Sequence, residues 1–258
     1  MKRAIVSDIH GNLAALQAVL QDIEQQRCEQ IYCLGDIVGY GPQPGACIDL
    51  AMTFDVCLLG NHDQAVLFDP EGFSSGAERA IFWTRDQLKP SPDGTNGESS
   101  EKLKQQQVRW NFLCELPRVV REKDVLYVHG SARFPLSEYV FPEDILNRRK
   151  LDAIFEMIPG FTFQGHTHVP GIFRQSGHFV RPSEIPSGYE LSEKEKLMIN
   201  VGSVGQPRDG DPRACYVTLE DGIVRYHRIE YPVADVAGQI YAIAELDRFL
   251  GDRLLQGR

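Results

Sequence analysis

Short apolar runs alternate along the chain with segments whose apolar residues recur every three to four positions. Ala4-Ile5-Val6 lies inside a stretch from Arg3 to Ser7 that predicts a buried strand. Leu13, Leu16, Val19, Leu20 and Ile23 then share one helical face, with Asn12 placed to cap that helix. Ile31 to Leu34 predicts a second strand, Pro44 opens a short helix, and Val56 to Leu59 predicts a third strand. This alternation predicts βαβ units and a largely parallel sheet. Ala77 to Leu88 and Leu103 to Leu116 have helical spacing. Between them residues 89–102, KPSPDGTNGESSEK, are rich in Pro, Gly and Ser and predict a mobile surface loop. Val125 to Val128 and Phe161 to Phe163 predict strands flanking a helix started by Pro142 and Glu143. From Gly171 onward the pattern becomes hairpin-like. Ile172 to Arg174, His178 to Val180, Met198 to Val201, Cys215 to Leu219 and Ile223 to Ile229 read as strands, with Glu220-Asp221-Gly222 as a tight turn. Val233 to Leu255 predicts one C-terminal helix. There is no internal repeat, and one domain over residues 1–258 with two sheets fits better than two domains.

Composition narrows the class. The chain has 258 residues, 42% hydrophobic and 24% charged, which suffices to bury a full core without staples. Lys+Arg is 27 and Asp+Glu is 36, a net charge of −9. That balance argues against broad nucleic-acid binding, which needs a field of Lys and Arg. A small phosphorylated substrate held through metal remains compatible, because a bound cation reverses the local sign. The first apolar run, Ala4 to Val6, meets Asp8 too soon for a signal peptide. No stretch approaches the ~20 apolar residues that span a bilayer. The six cysteines form no C-x-x-C pair, and several sit in apolar strands. They read as small buried hydrophobes of a reducing cytoplasm.

Five of the seven histidines follow apolar strands directly, together with Asp8, Asp36 and Asn61. The clusters are Asp8-Ile9-His10-Gly11-Asn12, Gly35-Asp36-Ile37-Val38-Gly39, Gly60-Asn61-His62-Asp63, Val128-His129-Gly130 and Gly165-His166-Thr167-His168. Strand C-terminal ends in α/β sheets are where sites assemble. In extended backbone, residues i and i+2 point to the same side, so Asp8 with His10, and His166 with His168, can each grip one ion. Two Asp, one Asn and several His form a mixed oxygen and nitrogen set. It suits Mn²⁺, Fe²⁺, Zn²⁺, Co²⁺ or Ni²⁺ better than Ca²⁺ or Mg²⁺. A pair of ions ~3.5–4 Å apart that share one carboxylate would use all the ligands. His178 and His227 lie outside the clusters and read as ordinary strand residues.

The order D-x-H, G-D, G-N-H-D, V-H-G, G-H-T-H resembles that of the calcineurin-like metallophosphoesterases, and the segment Ile199 to Arg208 is similar to that of their small bacterial and archaeal phosphodiesterase branch. The resemblance implies a four-layer αββα sandwich of two mixed sheets. It implies two divalent ions, manganese foremost, with iron, zinc, nickel or cobalt as alternatives. Asp8, His10, Asp36 and His168 would hold the first ion. Asp36, Asn61, His129 and His166 would hold the second, with Asp36 bridging. His62 would face the scissile phosphate and assist the leaving oxygen, and Asp63 would orient His62. The implied activity is hydrolysis of phosphodiester, or phosphomonoester, bonds of small nucleotide-type molecules by a metal-bridging hydroxide. The expected assembly, which the sequence leaves open, is a monomer or homodimer. One departure stands out. Protein phosphatases of the superfamily carry Asp-Arg after the second motif, where Gly39-Tyr40-Gly41 stands here. Arg133 and Arg208 follow site clusters and are the candidates to replace that cation. Two other readings compete. A non-catalytic scaffold would be expected to lose ligands or His62, and all are present. A nuclease would want a basic channel, and none is visible.

Overall fold

A computed structural model of the chain describes residues 1–90 and 100–258. The strands are β1 (Arg3–Val6), β2 (Gln30–Cys33), β3 (Val56–Cys57), β4 (Val119–Glu122), β5 (Val125–Val128) and β6 (Phe161–Gln164), then β7 (Gly171–Arg174), β8 (Phe179–Val180), β9 (Tyr189–Glu190), β10 (Leu197–Asn200), β11 (Ala214–Glu220) and β12 (Ile223–Ile229). The helices are α1 (Leu13–Gln25), α2 (Pro44–Ala51), α3 (Asn61–Leu67), α4 (Ser75–Leu88), α5 (Ser100–Glu115), α6 (Arg148–Met157), α7 (Val233–Tyr241) and α8 (Arg248–Gln256).

Two six-stranded sheets form, in the orders β3-β2-β1-β11-β12-β9 and β4-β5-β6-β10-β7-β8. Each holds three parallel strands extended by antiparallel neighbours, so both sheets are mixed rather than largely parallel. The β4–β5 hairpin and the strands of the second half supply the antiparallel pairings. β1 shows why the strands read as continuous apolar runs. Ala4 and Val6 pack toward Leu16, Val19 and Ile48 of α1 and α2, while Ile5 points to the opposite sheet. There it joins Tyr127, Phe163 and Ile199 in the inter-sheet core. Leu151, Ile154 and Phe155 of α6 cover Phe173 and Met198 on the outer face of the second sheet. The layers are therefore helix, sheet, sheet, helix, as expected.

Asn12 caps α1 through its side-chain oxygen, which accepts from Ala15 N at 3.1 Å. Pro142 and Glu143 begin only a 3₁₀ turn, Pro142–Leu146, and α6 starts after it with Asn147 as its own cap. The expected single C-terminal helix is two, because the Asp247 carboxylate accepts from Phe249 N at 2.9 Å and restarts the helix there. The break folds α8 back on α7, so that Val236, Ile240, Leu250 and Leu254 bury one another. Of the expected loop 89–102, residues 91–99 lie outside the described residues, and α5 begins at Ser100, inside it. Sequence spacing did not reveal α3, β4 and β9, which are seven, four and two residues long. No helix among the described residues is long and apolar enough to cross a membrane.

Candidate metal centre

The ends of β1, β2, β3, β5 and β6 converge on one edge of the sandwich, and each delivers one of the motif clusters. Main-chain bonds lock these loops together. Asp8 N donates to Gly35 O at 3.0 Å and His10 N to Asp36 O at 2.9 Å. Gly165 N donates to His129 O at 3.0 Å. Asp8, His10, Asp36, His166 and His168 all have left-handed backbone, with φ of 55°, 49°, 54°, 67° and 61°. The i, i+2 argument from extended backbone therefore does not describe them. The chain turns sharply at each of these five residues, and tertiary bonds hold conformations that cost L-residues energy.

Those turns bring the side chains into three interlocking groups. Asp8, His10 and His168 form one, Asp36, His129 and His166 another, and His62 meets His10 and Asp36 in a third. Within each group the nearest nitrogen and oxygen atoms lie within 4.8 Å of one another. Asp8 and His10 share a group as predicted, whereas His166 and His168 separate into different ones. Asn61 joins the second group, its Oδ1 3.0 Å from His129 Nε2. Asp36 lies between the groups, with Oδ2 3.3 Å from His129 Nε2 and 3.7 Å from His10 Nε2. Its Oδ1 accepts from His62 N at 2.8 Å. Gly60 permits this approach, since a Cβ there would lie 2.1 Å from Asp36 Oδ1.

Four of the five site histidines donate an outer ring N–H to a backbone carbonyl. His10 Nδ1 reaches Val38 O at 3.2 Å, His129 Nδ1 reaches Leu34 O at 3.0 Å and His168 Nδ1 reaches Gln206 O at 2.6 Å. His166 Nε2 reaches Ser137 O at 3.2 Å. With the proton assigned outward by these partners, the inner nitrogens carry lone pairs. His10 Nε2 and His168 Nε2 then face each other at 3.1 Å, and His129 Nε2 faces His166 Nδ1 at 3.1 Å. The buried Asp8 Oδ1 has no hydrogen-bond donor. Opposed lone pairs around buried carboxylates fit divalent cations.

The electrostatics agree. Burial opposes charge on Asp8 and Asp36, yet the imidazoles beside them hold both carboxyls below the usual range. Burial pushes His166 down to about 3 and His62 down to about 4. His129 is the exception. Burial disfavours its charge, but Asp36 prevails and lifts it to about 9, a proton standing where a cation would.

Asp63 is not placed as the sequence suggested. Its oxygens accept from Val38 N at 3.1 Å and Gly60 N at 3.0 Å, and it does not bond the His62 ring. Burial pushes its pKa up to about 7, with Asp36 adding to the shift. Asp63 ties the second and third clusters together through main chain. His62 Nδ1 has no partner and packs against Gly39, while Tyr40 and Phe73 flank the ring at 4.3 and 4.9 Å. Of the two candidate cations, Arg133 is paired to Glu138. Arg208 has its guanidinium 5.8 Å from the Tyr40 ring. His178 and His227 lie outside the three groups, His227 stacked on Tyr216.

Residues of the Ile199 to Arg208 segment support the centre without pointing into it. Asn200 Nδ2 donates to Gly165 O at 2.7 Å and Thr167 Oγ1 at 2.9 Å, and Ser203 Oγ donates to Asp8 O at 2.8 Å. Sequence reasoning assigned these two no role. The only signal was the likeness of the whole segment to that of the phosphodiesterases.

Comparison with known proteins agrees with this geometry. Residues 1–222 match the family model described as the calcineurin-like phosphoesterase superfamily domain. An uncharacterized protein of Methanocaldococcus jannaschii is 34% identical, over 99% of this chain and 98% of its own. The crystal structure of a metallophosphoesterase from Sphaerobacter thermophilus is 36% identical with a TM-score of 0.79, covering 100% of this chain and 99% of that one. A hypothetical protein of Pyrococcus horikoshii OT3, 19% identical with a TM-score of 0.73 over 100% and 98% of the chains, shares the fold. The chain belongs to the calcineurin-like phosphoesterase superfamily.

Proposed function

We propose that the protein hydrolyses phosphodiester bonds of small, nucleotide-type substrates with two divalent metal ions, manganese foremost. The observation that carries this reading is the pair of opposed imidazole contacts, His10 with His168 and His129 with His166, joined through Asp36. Asp8, His10, Asp36 and His168 would hold one ion, and Asp36, Asn61, His129 and His166 the other. Bound there, such ions neutralise phosphoryl oxygens and acidify water. The protein contributes position and charge. The carbonyls of Val38, Leu34, Gln206 and Ser137 keep each imidazole in the tautomer that faces inward. His62, whose Nδ1 is closed off by Gly39, offers Nε2–H to the leaving oxygen. An anionic phosphate beside it raises its hold on that proton. Asp63 keeps the His62 loop against the Asp36 loop through main-chain bonds. All six cysteines are unpaired, which accords with a cytoplasmic setting.

The test is hydrolysis of bis(p-nitrophenyl) phosphate and p-nitrophenyl phosphate by chelator-treated protein resupplied with Mn²⁺, Ni²⁺, Co²⁺ or Mg²⁺. Diester turnover that needs a transition metal and vanishes in His62→Ala is expected. Monoester turnover alone would replace the diesterase reading with a phosphatase. Silence on both esters with two ions bound would overturn it.

A further inference from the structure

A cavity of about 690 Å³ opens beside the metal centre. Thr167, between the two site histidines, and Arg208 form its border with the centre, but none of the proposed metal ligands lines it. Phe141, Val169, Pro170 and Phe179 supply apolar wall. Arg213 and Arg228, also on that wall, are each paired, with Asp211 and Asp209. Arg208 differs. Its guanidinium donates to Gln206 Oε1 at 2.7 Å, and among the described residues no carboxylate lies within ion-pair distance of it. Its main chain is fixed, since Arg208 N donates to His168 O at 3.2 Å, and its side chain stands over Tyr40. A second cation adjoins it from α8. Burial and the charge of Arg208 push Arg253 down to about 10, and Arg253 Nε is held by Arg258 O at 2.7 Å. A half-buried guanidinium with a like-charged neighbour and no carboxylate favours an incoming anion.

We propose that Arg208 holds a second, non-scissile phosphate of the substrate at the border between the metal centre and this cavity. The inference rests on the phosphoesterase reading above. The scissile phosphate belongs to the metal ligands, and the cavity wall that bears Arg208 contains none of them. The anion it holds therefore sits alongside the reacting group, with the substrate's organic part against Phe141, Val169 and Phe179. The preferred substrate class is a phosphodiester that carries a further phosphate, rather than a simple diester.

A matched pair of chromogenic esters tests this. Thymidine 5′-(p-nitrophenyl phosphate) has one phosphate, and its 3′-phosphorylated form adds only the second. The added phosphate is expected to lower KM about tenfold or more in the wild type, the share of one charge-assisted contact. Arg208→Gln should collapse the ratio of the two KM values toward one, and Arg208→Lys should restore part of it. Arg133→Gln, which removes a guanidinium already tied to Glu138, should leave the ratio in place. Equal KM values in the wild type, or an unchanged ratio in Arg208→Gln, would overturn the proposal. If neither ester is hydrolysed, the diesterase reading fails and the subsite is judged separately by calorimetry of inorganic pyrophosphate with chelator-treated protein. Binding about tenfold weaker in Arg208→Gln would uphold it, and equal binding would end it.

Discussion

His10 and His168 present their Nε2 atoms to each other at 3.1 Å while each gives its Nδ1 proton to a backbone carbonyl, of Val38 and of Gln206. Two imidazoles so arranged share no proton, because both protons already point outward. The contact is repulsive until a cation enters. His129 Nε2 and His166 Nδ1 face each other at 3.1 Å as well, there with the proton that Asp36 holds on His129 standing in the cation's place, and Asp36 lies within 3.7 Å of a nitrogen from each pair.

Asp36 thus belongs to both halves of the centre. In Asp36→Asn, elemental analysis should show both ions depleted together, from two equivalents toward none at micromolar metal. Retention of one full equivalent would mean that Asp36 serves a single ion.

His62 touches the ligand groups yet is proposed to act on the leaving oxygen. His62→Ala should bind metal as the wild type does and lose about 10²–10⁴-fold in kcat, the span of a general acid. Metal loss in that variant, read by elemental analysis, would make His62 a ligand instead.

Gly39 has φ of +93°, and a Cβ there would lie 2.6 Å from His62 Nδ1. Gly39→Ala should therefore strain the backbone and displace the ring together. Stability should fall by about 1–3 kcal/mol in urea titration, and kcat should fall while metal content holds. A variant with both wild-type midpoint and wild-type kcat would show that the His62 ring has room to move.

Asn200 is fully buried and its side chain joins three partners, Gly165 O, Thr167 Oγ1 and Gly202 N. Asn200→Ala leaves these without their bonds. The expected loss is about 3 kcal/mol, from a scale of ~1–3 kcal/mol for each buried polar group left unsatisfied. Because Gly165 and Thr167 flank His166, metal affinity should weaken as well, read by competition with a chromogenic chelator.

Much of the fold was legible in the apolar pattern. β1, β2, α1 and α2 are local structures whose buried faces recur with periods set by the backbone, so Ala4, Val6, Leu16 and Val19 announce themselves. The antiparallel additions to each sheet were less so, since strand order depends on which distant hairpins pair. Tight ends hid smaller elements. Gly60 marks a turn in sequence, but it also opens α3, because the Asp63 carboxylate accepts its N–H at 3.0 Å. The C-terminal segment read as one helix until Asp247 restarted it.

The identities of the candidate ligand residues were present in the linear order of five short motifs, since chemistry needs those atom types wherever the chain brings them. Their conformation was not. Asp8, His10, Asp36, His166 and His168 adopt left-handed backbone that no local preference of these residues requires, and His166 and His168 part company into separate groups. Asp63 bonds main chain rather than His62, and Arg133 is neutralised by Glu138 while Arg208 is left at the edge of the cavity. Such outcomes depend on partners far along the chain, Gly35, Val38, Gln206 and Asn200 among them. Sequence by itself determined which groups are available for metal and phosphate chemistry. Tertiary structure alone decided where their lone pairs point, because direction is set by long-range hydrogen bonds and burial rather than by spacing.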